Sequence, residues 1–265
     1  MKNSLAKKPS KSQVEYKVEM GDIFLLWEHL LFCGDSRNPD IWKRLLRDWQ
    51  KINLLLTDPP YWIDYVESKK WFTGTTEKFE DIPQDWIQSD REYAEFTRDW
   101  IAPMLPYFAE KNASYIFNAD KMIFALREGM LQAWMRFTQL LVWIKDSAII
   151  GRLDYLPQHE LIAYGWYGKH AFYGWKAKSI LPYARVRKNT IHPTMKPIPL
   201  LRELVLNSSK RGDTIYDPFG GSGSTIMACE QTGRKCVTVE INPVYCQSII
   251  ERWQEYTKKT VEKIT

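Results

Sequence analysis

The segment TIYDPFGGSGSTIMA, residues 214–228, constrains the fold more than any other part of the chain. It reads as an apolar strand, a glycine-rich turn and the opening of a helix. Gly220, Gly221 and Gly223 let the backbone approach a ligand, and a helix N-terminus favours negative charge. Alone, a tight turn with no ligand explains these glycines equally well. The next strand pattern, KCVTVE, ends on Glu240. An acidic side chain about twenty residues past the turn meets the ribose hydroxyls in nucleotide-binding sheets. The dinucleotide pattern asks for a third glycine at 226, where Ile226 stands. An adenosyl ligand without a pyrophosphate therefore fits better than NAD.

A glycine strand of this kind normally opens its fold, yet only one strand and one helix pattern follow it. The other strands must come from upstream, so the expected architecture is a circularly permuted α/β fold. Strand patterns occur at HLLFCGDS, INLLLTDPPY, SYIFNA, FTQLLVWIK, HELIAYGW, DTIYD and KCVTVE. Helical spacing occurs over 39–50, 91–108, 121–135, 198–208, 224–231 and 243–257. Alternation of the two predicts a mostly parallel sheet with helices on both faces. HLLFCGDS supplies the third strand, with Asp35 and Ser36 at its carboxyl end beside Glu240. For Asp35 taken alone, a plain turn aspartate is an equal reading.

Length and composition suit one large domain. The chain has 265 residues, 45% of them hydrophobic. Residues 1–13 are basic and without periodicity and read as a flexible tail, leaving 14–265 as a single domain. Two stretches break the strand–helix rhythm, 62–90 and 165–191, and both read as functional loops. The formal charge of +5 suits a polyanionic partner without identifying one. Cys33, Cys229, Cys236 and Cys246 lack zinc-ligand spacing and read as buried reduced thiols, so no metal is expected. With no signal peptide and no membrane-spanning apolar run, a cytosolic protein is expected.

Asp58-Pro59-Pro60-Tyr61 follows the apolar strand INLLLT directly. Two prolines fix φ and remove two donors, leaving the Asp58 carboxylate and the Pro59 carbonyl as acceptors. Such a pair suits an –NH₂ group gripped through both hydrogens. The lone pair of an aryl amine is delocalised into its ring, and this grip draws the nitrogen toward tetrahedral geometry, freeing the pair to attack a methyl sulfonium. Ionised Asp58 also stabilises the developing ammonium. Tyr61 offers a face on which a base flipped out of a duplex can stack. The plainer alternative is a Pro-Pro turn with a capping Asp and a packed Tyr.

The segments LFCGDS, LLLTDPPY, VWIK, QHELIAYG, HPTMKPIPLLRELVLNSSKRGDTIYDPFGGSGST and GRKCVTVEINPVYC together resemble the DNA amino-methyltransferases of permuted, beta-type motif order. That family includes restriction-modification and phage-encoded enzymes. The resemblance covers most of the chain outside the tail and the two irregular stretches. It implies a Rossmann-like S-adenosylmethionine-dependent methyltransferase fold and methyl transfer to an exocyclic amino group of a DNA base. The DPPY form implies adenine N6, with cytosine N4 the runner-up. A DNA-binding subunit without catalysis is a separate class that the intact DPPY disfavours, and methylation of RNA or a protein amide is a third.

The resemblance also implies site roles. His192, Thr194 and Lys196 help hold the methionine part of the cofactor. Asp217, Pro218 and Phe219 line its pocket with the turn Gly220, Gly221, Ser222 and Gly223. Glu240, with Asn242 beyond it, holds the ribose, and Asp35 with Ser36 meets the adenine. Asp58, Pro59, Pro60 and Tyr61 map onto the catalytic turn. The target-recognition region of the family is reduced here to about 165–191. Recognition is then short, shared with 62–90, or completed by a partner or second copy of the chain, a homodimer. Lys169, Lys176, Arg185, Arg187 and Lys188 lie in that region among Tyr167, Phe172, Tyr173, Trp175 and Tyr183. Basic and aromatic side chains so mixed suit DNA contact, against a packed subdomain or oligomer surface.

Overall fold

In a computed structural model, residues 17–46, 51–61, 89–148, 154–186 and 195–264 are described. The tail 1–13 and most of the 62–90 stretch lie outside them. Strands β1 (Ile23–Leu26), β2 (His29–Cys33), β3 (Ile52–Thr57), β4 (Phe108–Asn118), β5 (Arg136–Ile144), β6 (His159–Trp166), β7 (Lys169–His170), β8 (Ile180–Pro182), β9 (Thr214–Asp217), β10 (Lys235–Glu240) and β11 (Glu262–Lys263) join in one sheet. Its order is β11-β1-β2-β10-β9-β3-β4-β6-β5-β8, with β7 paired to β4 off this path. The run β2-β10-β9-β3-β4 is parallel throughout. The glycine strand β9 thus sits at the centre although it comes late in the chain, as the permuted order requires.

Helices α1 (Asp40–Leu45), α2 (Asp90–Ile101), α3 (Ile123–Gln132), α4 (Ile198–Ser208), α5 (Ser224–Thr232) and α6 (Pro243–Thr257) cover the sheet. Strand alternation decides which helix lies where. Leu54, Leu56, Tyr115, Phe117 and Ile215 face a cluster built with Leu201 and Val205 of α4, Ile226 of α5 and Ile249 and Trp253 of α6. Their alternate neighbours Leu55, Ile116 and Tyr216 face Trp42 of α1, Phe96 and Trp100 of α2 and Leu126 of α3. Helices before β4 and just after it thus cover one face, and the three C-terminal helices cover the other.

Sequence spacing overextends two helices. The pattern over 91–108 resolves into α2, begun by a Ser89–Glu92 capping box, and a 3₁₀ segment Ala102–Tyr107. Pro103 and Pro106 lack the N–H an α-helix needs, so the α-helix stops before them. The pattern over 39–50 yields the short helix Asp40–Leu45, and 47–50 lie outside the described residues. The antiparallel pairs β4–β6 and β5–β6 qualify the parallel character of the sheet. All four cysteines are free and buried.

Gly129 of α3 is where the helices on the first face come closest. A Cβ there would stand 2.4 Å from the Ala94 carbonyl oxygen and 2.5 Å from Thr97 Cβ, both on α2. Gly129→Ala is expected to destabilise the protein by about 1–3 kcal/mol, because overpacking outweighs the better helix propensity of alanine. Thermal unfolding measures this, and an unchanged or raised Tm would show that the contact relaxes at no cost.

Candidate active site

Parallel pairing aligns the carboxyl ends of β2, β10, β9 and β3 along one edge, where ligands bind in open α/β sheets. Cys33 is the register partner of Glu240, and the Gly34 N–H donates to the Glu240 carbonyl at 2.9 Å. Asp35 and Ser36 therefore start beside Glu240. The Asp35 carboxylate is taken by Arg37, whose Nη2 approaches Oδ2 at 2.6 Å. Burial raises the Asp35 pKa, but the Arg37 pairing outweighs it and leaves the group below its ordinary value. Ser36 is buried.

The glycine turn is shaped by contacts behind it. Gly221 and Gly223 have φ of 50° and 73°, a region costly for side chains. A Cβ on Gly220 would meet Thr238 Oγ1 at 2.6 Å. Arg252 of α6 donates to the Ser222 carbonyl at 2.7 Å. The Glu240 carboxylate accepts from the Gly221 N–H at 2.7 Å and the Asn242 N–H at 2.8 Å. Burial pushes the Glu240 pKa up against these backbone donors. Asn242 caps α6 through its side chain, which accepts from the Val244 N–H at 2.8 Å.

Asp217 closes β9 beside the end of β3. It accepts from Thr57 Oγ1 at 2.7 Å and from the Phe219 N–H at 3.2 Å. Burial pushes its pKa up to about 7 despite those donors. Phe219 packs edge-on to Trp100, with ring centroids 5.4 Å apart. Pro218 is buried beside it.

The DPPY turn follows β3 into a cluster of four charges. Lys196 Nζ pairs with Asp58 Oδ2 and stands 3.2 Å from Glu160 Oε2. Lys145 Nζ binds the other oxygen of Glu160 at 2.8 Å. The Tyr61 hydroxyl lies 2.5 Å from Asp58 Oδ1 and 3.2 Å from Glu160 Oε2, within reach of both. Both lysine side chains are only 6% exposed, so the pairs are shielded from solvent. Burial raises the Asp58 pKa, with Lys196 opposing and Glu160 adding to the rise. For Glu160, burial is outweighed by Lys196 and Lys145, and the group is held below its ordinary value. Burial and the two carboxylates push Tyr61 well up.

Lys145, Glu160 and Thr57 had no assigned role in the sequence reading, although VWIK and QHELIAYG contain the first two. For Lys145 and Glu160 the signal is a charge at the end of an otherwise apolar strand; Thr57 carries none. Ile144 and His159 are register partners, and the Lys145 N–H donates to the Gln158 carbonyl at 2.8 Å. The β5–β6 hairpin thereby sets Lys145 and Glu160 side by side. Lys196, expected near the methionine part of a cofactor, has its ammonium on Asp58 and Glu160.

The basic segment after β6 divides between the two edges of the sheet. Lys169 pairs with Glu110 and with the start of β4, at the edge opposite Asp58. From Asn112 to Asn118 along β4 is about 20 Å at 3.3 Å per residue. Tyr173 and Gly174 donate backbone N–H bonds to the Asn207 carbonyl at the far end of α4, and exposed Lys176 follows them. The chain then returns: β8 pairs with the end of β5, and the Arg185 N–H donates to Asp146 Oδ1 at 3.0 Å. Arg185 is thus on the Asp58 edge, and Lys169 and Lys176 are not. Arg187, Lys188, His192 and Thr194 lie outside the described residues. Among the described residues no His, Cys, Asp and Glu grouping could hold a metal ion, and no helix is long and apolar enough to cross a membrane.

The fold is that of Rossmann-like S-adenosylmethionine-dependent methyltransferases. The structure titled M1.HpyAVI-SAM complex matches with TM-score 0.61 and 20% identity, over 84% of this chain and 98% of that one. The cytosine-N4-specific PvuII DNA methyltransferase matches with TM-score 0.63 and 13% identity, over 86% and 90%. Residues 167–252 match the family N6_N4_Mtase, described as DNA methylase. The chain is 26% identical to Type II methyltransferase M.HpaI of Haemophilus parainfluenzae, over 76% of this chain and 68% of that protein. It is 24% identical to the DNA adenine methyltransferase YhdJ of Escherichia coli, over 81% and 80%.

The environment of Asp217 generates a stability prediction. A carboxyl whose pKa rises from 3.8 unfolded to about 7 folded binds its proton more tightly in the native state. Its contribution is fully present below about 4 and declines as pH rises to about 7, by on the order of 4 kcal/mol. Asp217→Asn keeps an acceptor for Thr57 and Phe219 without the titration. Denaturant unfolding between pH 5 and 7.5 is expected to show a shallower fall for Asp217→Asn than for the wild type. Parallel curves would place the proton elsewhere.

Proposed function

We propose that the protein transfers a methyl group from S-adenosylmethionine to the N6 amino group of adenine in DNA. The observation that carries this reading is the position of Asp58. Its carboxylate, at the end of β3, adjoins the glycine turn, Asp217 and, across the edge, Glu240. The residues fit a sulfonium cofactor. Carboxyl groups at Asp58, Asp217 and Glu240 offer a pyrophosphate acceptors where it needs donors, whereas they suit a positively charged sulfur and hydroxyl groups. Gly220 and Gly223 let the turn pack directly on Thr238 and Ile249, where a Cβ would stand 2.6 Å and 3.1 Å away.

Glu240, fixed by two backbone donors, has acceptor capacity left for ribose hydroxyls. Asp35 and Ser36 meet the adenine end, and Phe219 packs along the pocket with Pro218. Thr194, His192 and Lys196 serve the methionine end. When bound, S-adenosylmethionine supplies a methyl group on positive sulfur, which leaves as a neutral thioether. Asp58 and the Pro59 carbonyl take the two hydrogens of the amine, and Tyr61 stacks on the extruded base. Asp58 stabilises the positive charge that builds on nitrogen and stands where the amine proton is released. Residues 14–265 act as one domain. Arg185, on the Asp58 edge, contacts DNA; Arg187, Lys188 and the 62–90 stretch are proposed as further DNA contacts.

Adenine is favoured over cytosine by the DPPY form of the turn and by one relative, YhdJ, named as a DNA adenine methyltransferase. The structural likeness to a cytosine-N4-specific enzyme keeps the second base as the alternative.

Two substitutions separate the roles. Asp58→Ala is expected to lower methyl transfer about 10²–10⁴-fold while leaving calorimetric cofactor affinity within a few-fold. Glu240→Ala is expected to weaken cofactor binding by about 1–3 kcal/mol, since it removes a partner of buried hydroxyls. A fully active Asp58→Ala protein sinks the mechanism, and unchanged cofactor affinity in Glu240→Ala removes Glu240 from the ribose site.

A further inference from the structure

The charge cluster contains more than the reaction above uses. Asp58 needs an oxygen for one hydrogen of the target amine, yet in this structure Oδ2 is paired with Lys196 and Oδ1 accepts from Tyr61. An ammonium held on Asp58 also opposes methyl transfer, because positive charge builds on the amine nitrogen as the new bond forms. Something must hold Lys196 when the amine arrives.

Glu160 is built for that. Its Oε2 lies 3.2 Å from Lys196 Nζ and 3.2 Å from the Tyr61 hydroxyl, so both donors now on Asp58 already reach it. Its other oxygen is fixed by Lys145 at 2.8 Å. Two carboxylates and two ammoniums leave the cluster neutral, and moving Lys196 from one carboxylate to the other changes no charge in a buried site. The ring faces of Phe117 and Tyr61 lie 5.2 Å and 5.6 Å from Lys196 Nζ and flank the ammonium.

We propose that Glu160 is a positioning residue: it takes the Lys196 ammonium and the Tyr61 hydroxyl when Asp58 turns to the target amine. Glu160 touches neither cofactor nor base. It acts through Lys196, and Lys145 keeps it in place. The inference rests on the methyl-transfer reading and adds to it a residue from a different strand, β6.

The test is methyl transfer to unmethylated DNA by the wild type, E160Q, K196Q and the double variant, with KM for S-adenosylmethionine measured for each and folding checked by thermal unfolding. Removing Glu160 commits Lys196 to Asp58, so E160Q is expected to lose about tenfold or more in kcat with the cofactor KM within about twofold. K196Q leaves two buried carboxylates facing one ammonium, which favours a proton on Asp58 where an acceptor is needed, and also loses kcat. The double variant restores the balance of one ammonium and one carboxylate, and its kcat is expected above that of E160Q. A residue that merely supports the fold gives losses that multiply. An E160Q kcat within twofold of an active wild type, or a double variant as low as the product of the singles, overturns the inference alone. A wild type inactive on DNA overturns the underlying reading and the inference with it. Should E160Q fail to fold, the wild type decides, in complex with a non-transferring cofactor analogue and a duplex carrying the methylated sequence. Lys196 Nζ is expected nearer Glu160 than Asp58, and an ammonium still on Asp58 overturns the proposal.

Discussion

The parallel contact between β9 and β3 joins segments about 160 residues apart and brings two carboxylates, Asp217 and Asp58, to neighbouring strand ends. With Glu240 from β10, Asp35 after β2 and Glu160 from β6, five acidic side chains crowd one edge. Burying that much negative charge uncompensated would be prohibitive. The site compensates each in its own way. Asp217 retains a proton up to about pH 7 and is held by Thr57 and Phe219. Glu240 is met by backbone N–H groups of the glycine turn and of the start of α6. Asp35 has Arg37, while Asp58 and Glu160 share Lys196, with Lys145 behind. Some of these groups come from the same turn, as Arg37, Phe219 and Asn242 do, and others, Thr57, Lys145 and Lys196, are brought in by the fold.

These compensations divide the labour. The Glu240 side holds its carboxylate by immobile main chain, which suits a pocket that binds the same ligand in every turnover. The Asp58 side uses long, flexible lysines and a hydroxyl shared between two carboxylates. That arrangement can exchange partners at little electrostatic cost, which suits a residue that must be protected when empty and available when a base arrives.

The placing of β2 beside β10 and β9 was legible because it follows from apolar strands that end in chemistry. TIYD, KCVTVE and HLLFC are buried and run parallel, so the residues after them had to converge. The proline limit of α2 was legible too, but helical spacing in 91–108 masked it. β1, β7, β8 and β11 were not read, being four residues or fewer and defined by partners distant in the chain. The same reason hid the role of Glu160. Nothing near position 160 announces a lysine 36 positions later or a tyrosine 99 positions earlier. The basic segment shows the opposite failure: its residues are close in sequence, but the chain crosses the sheet between Lys169 and Arg185, so proximity in sequence misrepresents proximity in space.

The proposed chemical event at this edge is methyl transfer to an exocyclic amine held by Asp58. The most direct measurement is modification-sensitive sequencing, with nucleoside mass spectrometry, of DNA from cells carrying the wild-type chain or Asp58→Ala. N6-methyladenine within a defined sequence is expected in the first and its absence in the second. N4-methylcytosine in its place would contradict the base assignment, and methylation that persists in Asp58→Ala would contradict the site itself.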